Sequence, residues 1–192
     1  MTARIVVLAS GTGTLFEALL DSRLGISVVA LVTDQPGARA VDIALSREIP
    51  ARKISLLDFD SRETWENEFL RQVKELNPDL IVAAGFMRIL SPVFVNEFPS
   101  QIINSHPSLL PQFPGAHAVR DAMAAGATVT GCTIHFIDEG VDTGKIISQE
   151  QVDVLPGESE EQLHERIKTV ERTLLPQSVE RLLIERLGKG FQ

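Results

Sequence analysis

Three short stretches of the 192-residue chain carry residue types suited to catalysis or anion binding. The first is Asn104-Ser105-His106-Pro107-Ser108-Leu109-Leu110-Pro111, at the end of an apolar run that reads as a central strand. A histidine titrates near neutral pH, so it can give and take a proton during turnover. Side chains alternate along an extended chain, so Asn104 and His106 face one side and can serve one reacting centre. Pro107 and Pro111 stiffen the exit from the strand. The plainer reading is a proline-rich loop with a capping histidine.

The second stretch is Ser10-Gly11-Thr12-Gly13-Thr14, directly after the apolar run Ile5–Ala9. Glycines let a backbone approach a ligand, and a following helix offers free N–H groups and a positive dipole end. A phosphate suits such a loop, and the hydroxyls of Ser10, Thr12 and Thr14 can add hydrogen bonds. The same glycines also make an ordinary tight strand–helix turn. The dinucleotide fingerprint requires Gly or Ala three residues past Gly13, where Phe16 stands. Asp34, at the end of the next strand, keeps a ribose-binding acid and an NAD-dependent oxidoreductase open as a rival. A non-catalytic nucleotide-binding module is a second rival.

The third stretch runs from Gly131 to Gly144, a strand followed by an acidic turn. Asp142 alone is a turn residue; beside a histidine it can hold and charge the imidazole. Asp142-Thr143-Gly144 also matches aspartic proteases, but those need an all-β setting and a second such Asp. Of the other histidines, His117 follows the first string and can border the site. His135 sits on the strand of the third, one layer behind it, and His164 is expected to be exposed on a closing helix. The single Cys132 permits no intrachain disulfide, which is compatible with a reducing compartment. No zinc-ligand spacing is present, so no metal is expected.

The elements that must position these groups follow from hydrophobic periodicity. Strands are expected at Ile5–Ala9, Ile26–Val32, Ala51–Ser55, Leu80–Ala84 and Gln101–Asn104. Helical patterns lie between them, at the Leu15–Leu20 segment, Ala38–Glu48, the Trp65–Leu76 stripe and Pro92–Glu97. Trp65, Phe69, Val73 and Leu76 mark one helix face, which makes Trp65 a core residue. Asp60-Ser61-Arg62-Glu63 reads as a capping box with Asp60 at the cap, and Ser159-Glu160-Glu161-Gln162 as another. Alternating strands and helices of this kind specify an α/β fold, a Rossmann-like and mostly parallel sheet flanked by helices. After Ala127 the pattern changes. Thr128–Ile137 and Lys145–Val154 read as antiparallel strands, and Leu163, Ile167, Val170 and Leu174 line a closing helix that Pro176 can kink. We read one domain over 1–192, with a phosphate-binding half to about residue 100 and a catalytic half from about 101.

The composition is that of an ordinary globule, 44% hydrophobic and 23% charged, with a net charge of −8. That excludes collagen-like, disordered and disulfide-scaffold classes. Net acidity argues against nucleic acid as a partner, because such affinity comes from a basic field. No segment approaches the roughly 20 apolar residues of a membrane span, and no signal peptide is evident, so a cytoplasmic protein is expected. An exposed apolar helix face would allow a homodimer.

The three strings, in this order, resemble the formyltransferases that use 10-formyltetrahydrofolate, over nearly the whole chain. The Asn-x-His-Pro-Ser-Leu-Leu-Pro string is the most specific part. Ala84-Gly85-Phe86-Met87-Arg88-Ile89-Leu90-Ser91 resembles the family's folate-pocket strand end. The nearest branch formylates glycinamide ribonucleotide in de novo purine biosynthesis. The resemblance implies a Rossmann-like fold and direct formyl transfer from 10-formyltetrahydrofolate, as cosubstrate, without a metal. It implies a catalytic trio of Asn104, His106 and Asp142, and a substrate phosphate loop of Gly11, Thr12, Gly13, Thr14 and Leu15. Leu15 stands where many relatives have Asn, and Gln112 where a lysine is common. Glu171 falls on the ribose carboxylate. Arg62, Met87, Arg88, Ile89, Leu90, Asn104, Val141 and Asp142 fall on folate contacts. Methionyl-tRNA formyltransferase and formyltetrahydrofolate deformylase share the trio. The first is expected to carry an added C-terminal domain and the second an N-terminal one, for which 192 residues leave no room.

Overall fold

Short Val- and Ile-rich runs with no polar alternation suit strands covered on both faces, and the computed structural model of the chain builds them that way. It describes residues 3–22 and 27–188. The chain divides into two compact units, Met1–Ile103 and Asn104–Gln192.

In the first unit β1 (Arg4–Leu8), β2 (Ser27–Thr33), β3 (Ala51–Lys53) and β4 (Leu80–Ala83) are strands, and β1 pairs in parallel with both β2 and β4. β2 pairs in parallel with β3. The crossovers are helices, α1 (Thr14–Asp21), α2 (Arg39–Ser46) and α3 (Arg62–Glu75), followed by α4 (Pro92–Glu97). Trp65, Phe69 and Val73 are buried on α3, as their spacing requires, and the Trp65 indole N–H donates to the Ile54 carbonyl at 2.7 Å. β5 (Ile102–His106) begins in this unit and ends in the next.

In the second unit α5 (Ala118–Ala124) precedes β6 (Val129–Phe136) and β7 (Ile146–Asp153), an antiparallel pair with a register shift between Ile134 and His135. α6 (Glu160–Gly188) closes the unit. Val119, Cys132, Val152, Leu163 and Ile167 form its core, with Val170 and Leu174 packed against them. Pro176 removes one N–H from the α6 ladder, and nearby the Ser178 hydroxyl donates to the Leu174 carbonyl at 2.7 Å. Among the described residues the strands follow the order β3-β2-β1-β4-β5-β6-β7. The first five positions are a doubly wound order, with a reversal between β1 and β4. No helix among the described residues is long and apolar enough to cross a membrane.

Some boundaries differ from the sequence reading. Ile26, the expected start of the second strand, lies outside the described residues. The α3 capping box is Ser61 with Thr64, one residue later than expected, because Ser61 supplies a hydroxyl acceptor and Thr64 returns the bond. The Ser159–Gln162 box forms as read. β3 stops at Lys53 because the Ser55 side chain caps a short 3-10 turn over Leu56–Asp58. β5 continues to His106, so Asn104 and His106 are strand residues.

Candidate active site

In the second unit, β5, β6 and the turn before β7 bring four polar side chains together. The Asp142 carboxylate is their hub. Its Oδ2 accepts the Gly115 amide N–H at 2.8 Å and faces His106 Nδ1 at 3.3 Å. Its Oδ1 faces His135 Nε2 at 3.5 Å. Asn104 Nδ2 lies 3.3 Å from that same His135 nitrogen. His106 Nε2 is 2.8 Å from the Phe113 carbonyl, so both of its nitrogens face acceptors, and an imidazole protonated on both satisfies them. Burial pushes the Asp142 carboxyl up. The His135 contact, the Gly115 amide and the His106 charge together more than reverse this, leaving it below the ordinary 3.8.

Structure brings Asn104, His106 and Asp142 together and adds His135 as a direct partner of two of them. That role depends on the β6 register shift and the Asp142 turn, neither of which sequence spacing reveals. His117 is exposed at the N-terminus of α5. His164 is half-buried rather than exposed, and burial lowers its basicity. Cys132 is fully buried, and burial pushes its thiol up to about 12, so it is no nucleophile.

The loop after His106 is pinned through one buried hydroxyl. Thr133 Oγ1 donates to the Ser108 carbonyl at 2.7 Å. It accepts the Leu110 amide at 3.1 Å and Gln149 Nε2 at 2.9 Å. Ser108 is itself fully buried, and its hydroxyl donates to the Gln112 carbonyl at 2.6 Å. Thr133→Val keeps the shape and orphans these groups. We expect it to cost about 1–3 kcal/mol in urea unfolding, with a fall in kcat, because the His106 loop loses its anchor.

In the first unit, the loops after β1, β2 and β4 are knitted together at the reversal of strand order. The Ser10 amide donates to the Gly85 carbonyl at 3.1 Å, and its hydroxyl accepts the Met87 amide at 2.9 Å. That hydroxyl donates to Asp34 Oδ1 at 2.5 Å, and Arg88 Nε reaches Asp34 Oδ2 at 2.7 Å. The Asp34 side chain is 1% exposed. Asp34 is therefore the buried partner of Arg88 and not a free ribose acid, which removes the main support for the NAD rival.

Gly13 caps α1 at φ 73°, and a Cβ there would lie 2.9 Å from Ala40, so glycine is required twice over. No side chain caps α1. A Cβ on Gly11 would meet nothing within 4 Å, so the loop has room beside it. Leu15 is buried in the α1 face, leaving only its main chain for a ligand. Thr12 and Thr14 lie on either side of Gly13, and Arg39 Nη1 donates to the Thr12 carbonyl at 3.1 Å.

Arg62 pairs with Glu66 at 2.7 Å and donates to the Ile89 carbonyl at 2.9 Å. Both arginines assigned to folate thus already hold a carboxylate. Met87 and Ile89 are exposed, at 79% and 70%, and Leu90 is half-buried. Val141, in the second unit, is also exposed. Glu171 is buried on α6 and accepts the Ser105 hydroxyl at 2.6 Å. Among the described residues no group of three His, Cys, Asp or Glu could hold a metal ion.

A histidine–carboxylate cluster at the end of a strand in an α/β sheet can hold and move a proton, as group-transfer and hydrolytic sites require. Comparison with known proteins narrows that choice. Residues 3–179 match the family model described as formyl transferase. Phosphoribosylglycinamide formyltransferase of Mycobacterium tuberculosis is 48% identical over 180 residues, 92% of this chain and 83% of that protein. The trifunctional purine biosynthetic protein adenosine-3 of Drosophila melanogaster is 44% identical over 94% of this chain, which spans 14% of that protein. The crystal structure of phosphoribosylglycinamide formyltransferase from Bacillus halodurans superposes with a TM-score of 0.91 at 40% identity, covering 98% of this chain and 100% of that one. The chain belongs to the formyl transferase family.

Proposed function

We propose that the protein transfers a formyl group from 10-formyltetrahydrofolate to the primary amine of glycinamide ribonucleotide in de novo purine biosynthesis. The observation that carries this reading is the Asp142 carboxylate shared by His106 and His135 beside Asn104, in a chain 48% identical to a phosphoribosylglycinamide formyltransferase. The single cysteine is buried, which suits a cytoplasmic enzyme.

The ribonucleotide amine attacks the formyl carbon, a new N–C bond forms, and the carbonyl electrons move onto oxygen. Asn104 and protonated His106 donate to that oxyanion. Such donors are worth about 3–4 kcal/mol each in comparable sites. His106 Nε2 now donates to the Phe113 carbonyl, so substrate must take that bond over for His106 to act directly. Asp142 orients His106 through Nδ1 and, through water, relays a proton from the incoming amine to the departing folate nitrogen. The bond to that nitrogen then breaks, and the formylated amide is released.

The substrate phosphate is assigned to the main chain of Gly11, Thr12, Gly13, Thr14 and Leu15, where the uncapped start of α1 offers N–H groups. Glu171 is assigned to the ribose hydroxyls. Folate is assigned to Arg62, Met87, Arg88, Ile89, Leu90 and Val141, with Asn104 and Asp142 at its reacting end. The exposed Met87 and Ile89 side chains offer apolar area to a flat ring. Because Arg62 and Arg88 are each paired, their share of folate binding lies in fixing the loop and in main-chain contacts.

The test mixes protein, glycinamide ribonucleotide and a 10-formyl folate analogue. Deformylated folate should form only with the ribonucleotide present, and His106→Asn should abolish it without unfolding the protein. Formyl loss without the ribonucleotide would instead indicate a deformylase. No folate chemistry would return the protein to the nucleotide-binding class.

A further inference from the structure

We propose that Ser105 is a positioning residue for ribonucleotide binding: its hydroxyl holds the Glu171 carboxylate in the orientation that accepts the ribose hydroxyls. This rests on the assignment of Glu171 to the ribose. Ser105 sits between Asn104 and His106 on β5, so its side chain leaves the strand on the face opposite theirs. The middle residue of the Asn-x-His string thus has work separate from the catalytic pair.

The contact itself is short. Ser105 Oγ donates to Glu171 Oε1 at 2.6 Å, at the short end of the O–H···O range. Glu171 is 5% exposed, and burial pushes its carboxyl above the ordinary value, while Ser105, Lys168 and Arg172 draw it back. Lys168 is bonded to Glu165 at 2.7 Å, and Arg172 to Thr169. Among the described residues Ser105 is therefore the group that bonds the carboxylate directly, while the two cations act through space. One Glu171 oxygen is taken by Ser105, and among the described residues no donor is bonded to the other. A glutamate has three side-chain torsions, and fixing one oxygen fixes where the second one points. Without that anchor the carboxylate loses both orientation and its hydrogen bond.

A sugar contact far from the reacting carbon contributes equally to ground state and transition state, so its loss raises KM and spares kcat. Steady-state kinetics on the full chain test this with Ser105→Ala, Ser105→Thr, Glu171→Ala and the double Ser105→Ala/Glu171→Ala. Ser105→Ala should raise KM for glycinamide ribonucleotide about 3–12-fold, the loss of one hydrogen bond. Its kcat and its KM for formyl folate should stay within about twofold. Ser105→Thr, which keeps the hydroxyl, should restore KM, and the double variant should be no worse than Glu171→Ala.

If Glu171→Ala raises KM but Ser105→Ala does not, the positioning role is overturned while the ribose assignment stands. A double variant worse than Glu171→Ala also overturns it, because Ser105 then acts elsewhere. An unchanged KM in Glu171→Ala overturns the ribose assignment itself and with it the role of Ser105. Should Ser105→Ala fail to fold, Ser105→Cys, which keeps the shape with a much weaker donor, should still raise KM for glycinamide ribonucleotide, and an unchanged KM would overturn the role.

Discussion

Asp142→Asn is expected to lower kcat by about 10²–10⁴-fold, the usual worth of general acid–base help, with the fold intact. The size of the effect follows from the number of partners. Two imidazoles and one backbone amide converge on this carboxylate. An asparagine offers one acceptor oxygen in place of two and no charge. His106 Nδ1 then loses the anionic oxygen it faces, and the Asn104–His135 pair loses the neighbour that orders it. Circular dichroism should show an unchanged fold while single-turnover formyl transfer collapses. A kcat within threefold of the wild type would remove Asp142 from the mechanism.

The same carboxylate has a pH signature. Its folded acidity is greater than its unfolded acidity, because the His135, Gly115 and His106 contacts outweigh burial. A carboxyl shifted downward stabilises the fold fully above its unfolded value, and that stability is lost as pH falls through the folded value. Urea unfolding of wild type and Asp142→Asn should therefore differ most above about pH 5 and converge as the pH drops below the ordinary carboxyl range. A difference that widened on acidification would contradict the assigned contacts.

What could be read from sequence depended on whether a feature was local. The α3 face was legible because Trp65, Phe69 and Val73 repeat at the helical period, and period alone determines which side is buried. Asn104 and His106 were legible as a pair because strand alternation places every second side chain on one face. The α3 cap was read one residue early because Asp60 and Ser61 are both good acceptors, and only the Thr64 hydroxyl selects between them. Contacts between distant segments were not legible. Asp34 and Arg88 are 54 residues apart, and Ser105 and Glu171 are 66 apart, so no periodicity links either pair. The second bond to Asp142 escaped for a related reason. His135 reaches it only because the β6–β7 register shifts at that residue, and a shift is a tertiary event.

Gly144→Ala is expected to be the most damaging single-methyl change near the site, and the reason is space rather than backbone conformation. A Cβ on Gly144 would lie 1.7 Å from the Phe136 carbonyl oxygen and 2.7 Å from its carbon. Both are main-chain atoms at the end of β6, so no side chain can swing aside. The neighbouring bond from the Phe136 amide to the Lys145 carbonyl, at 2.9 Å, ties the same two segments together. Admitting the methyl means separating β6 from the turn that carries Asp142. That would move the carboxylate away from His135, one residue before Phe136, and from His106 on β5. We expect a loss of about 3 kcal/mol or more, the scale of severe overpacking, and a melting temperature lower by roughly 10 °C. Formyl transfer should fall as far as in Asp142→Asn, even at temperatures where Gly144→Ala remains folded. Gly37→Ala is the control, because a Cβ there meets nothing within 4 Å. It should leave stability within about 0.5 kcal/mol and activity unchanged. A stable, active Gly144→Ala protein would show that the β6 end and the Asp142 turn can part without cost, and the site would then not depend on their close approach.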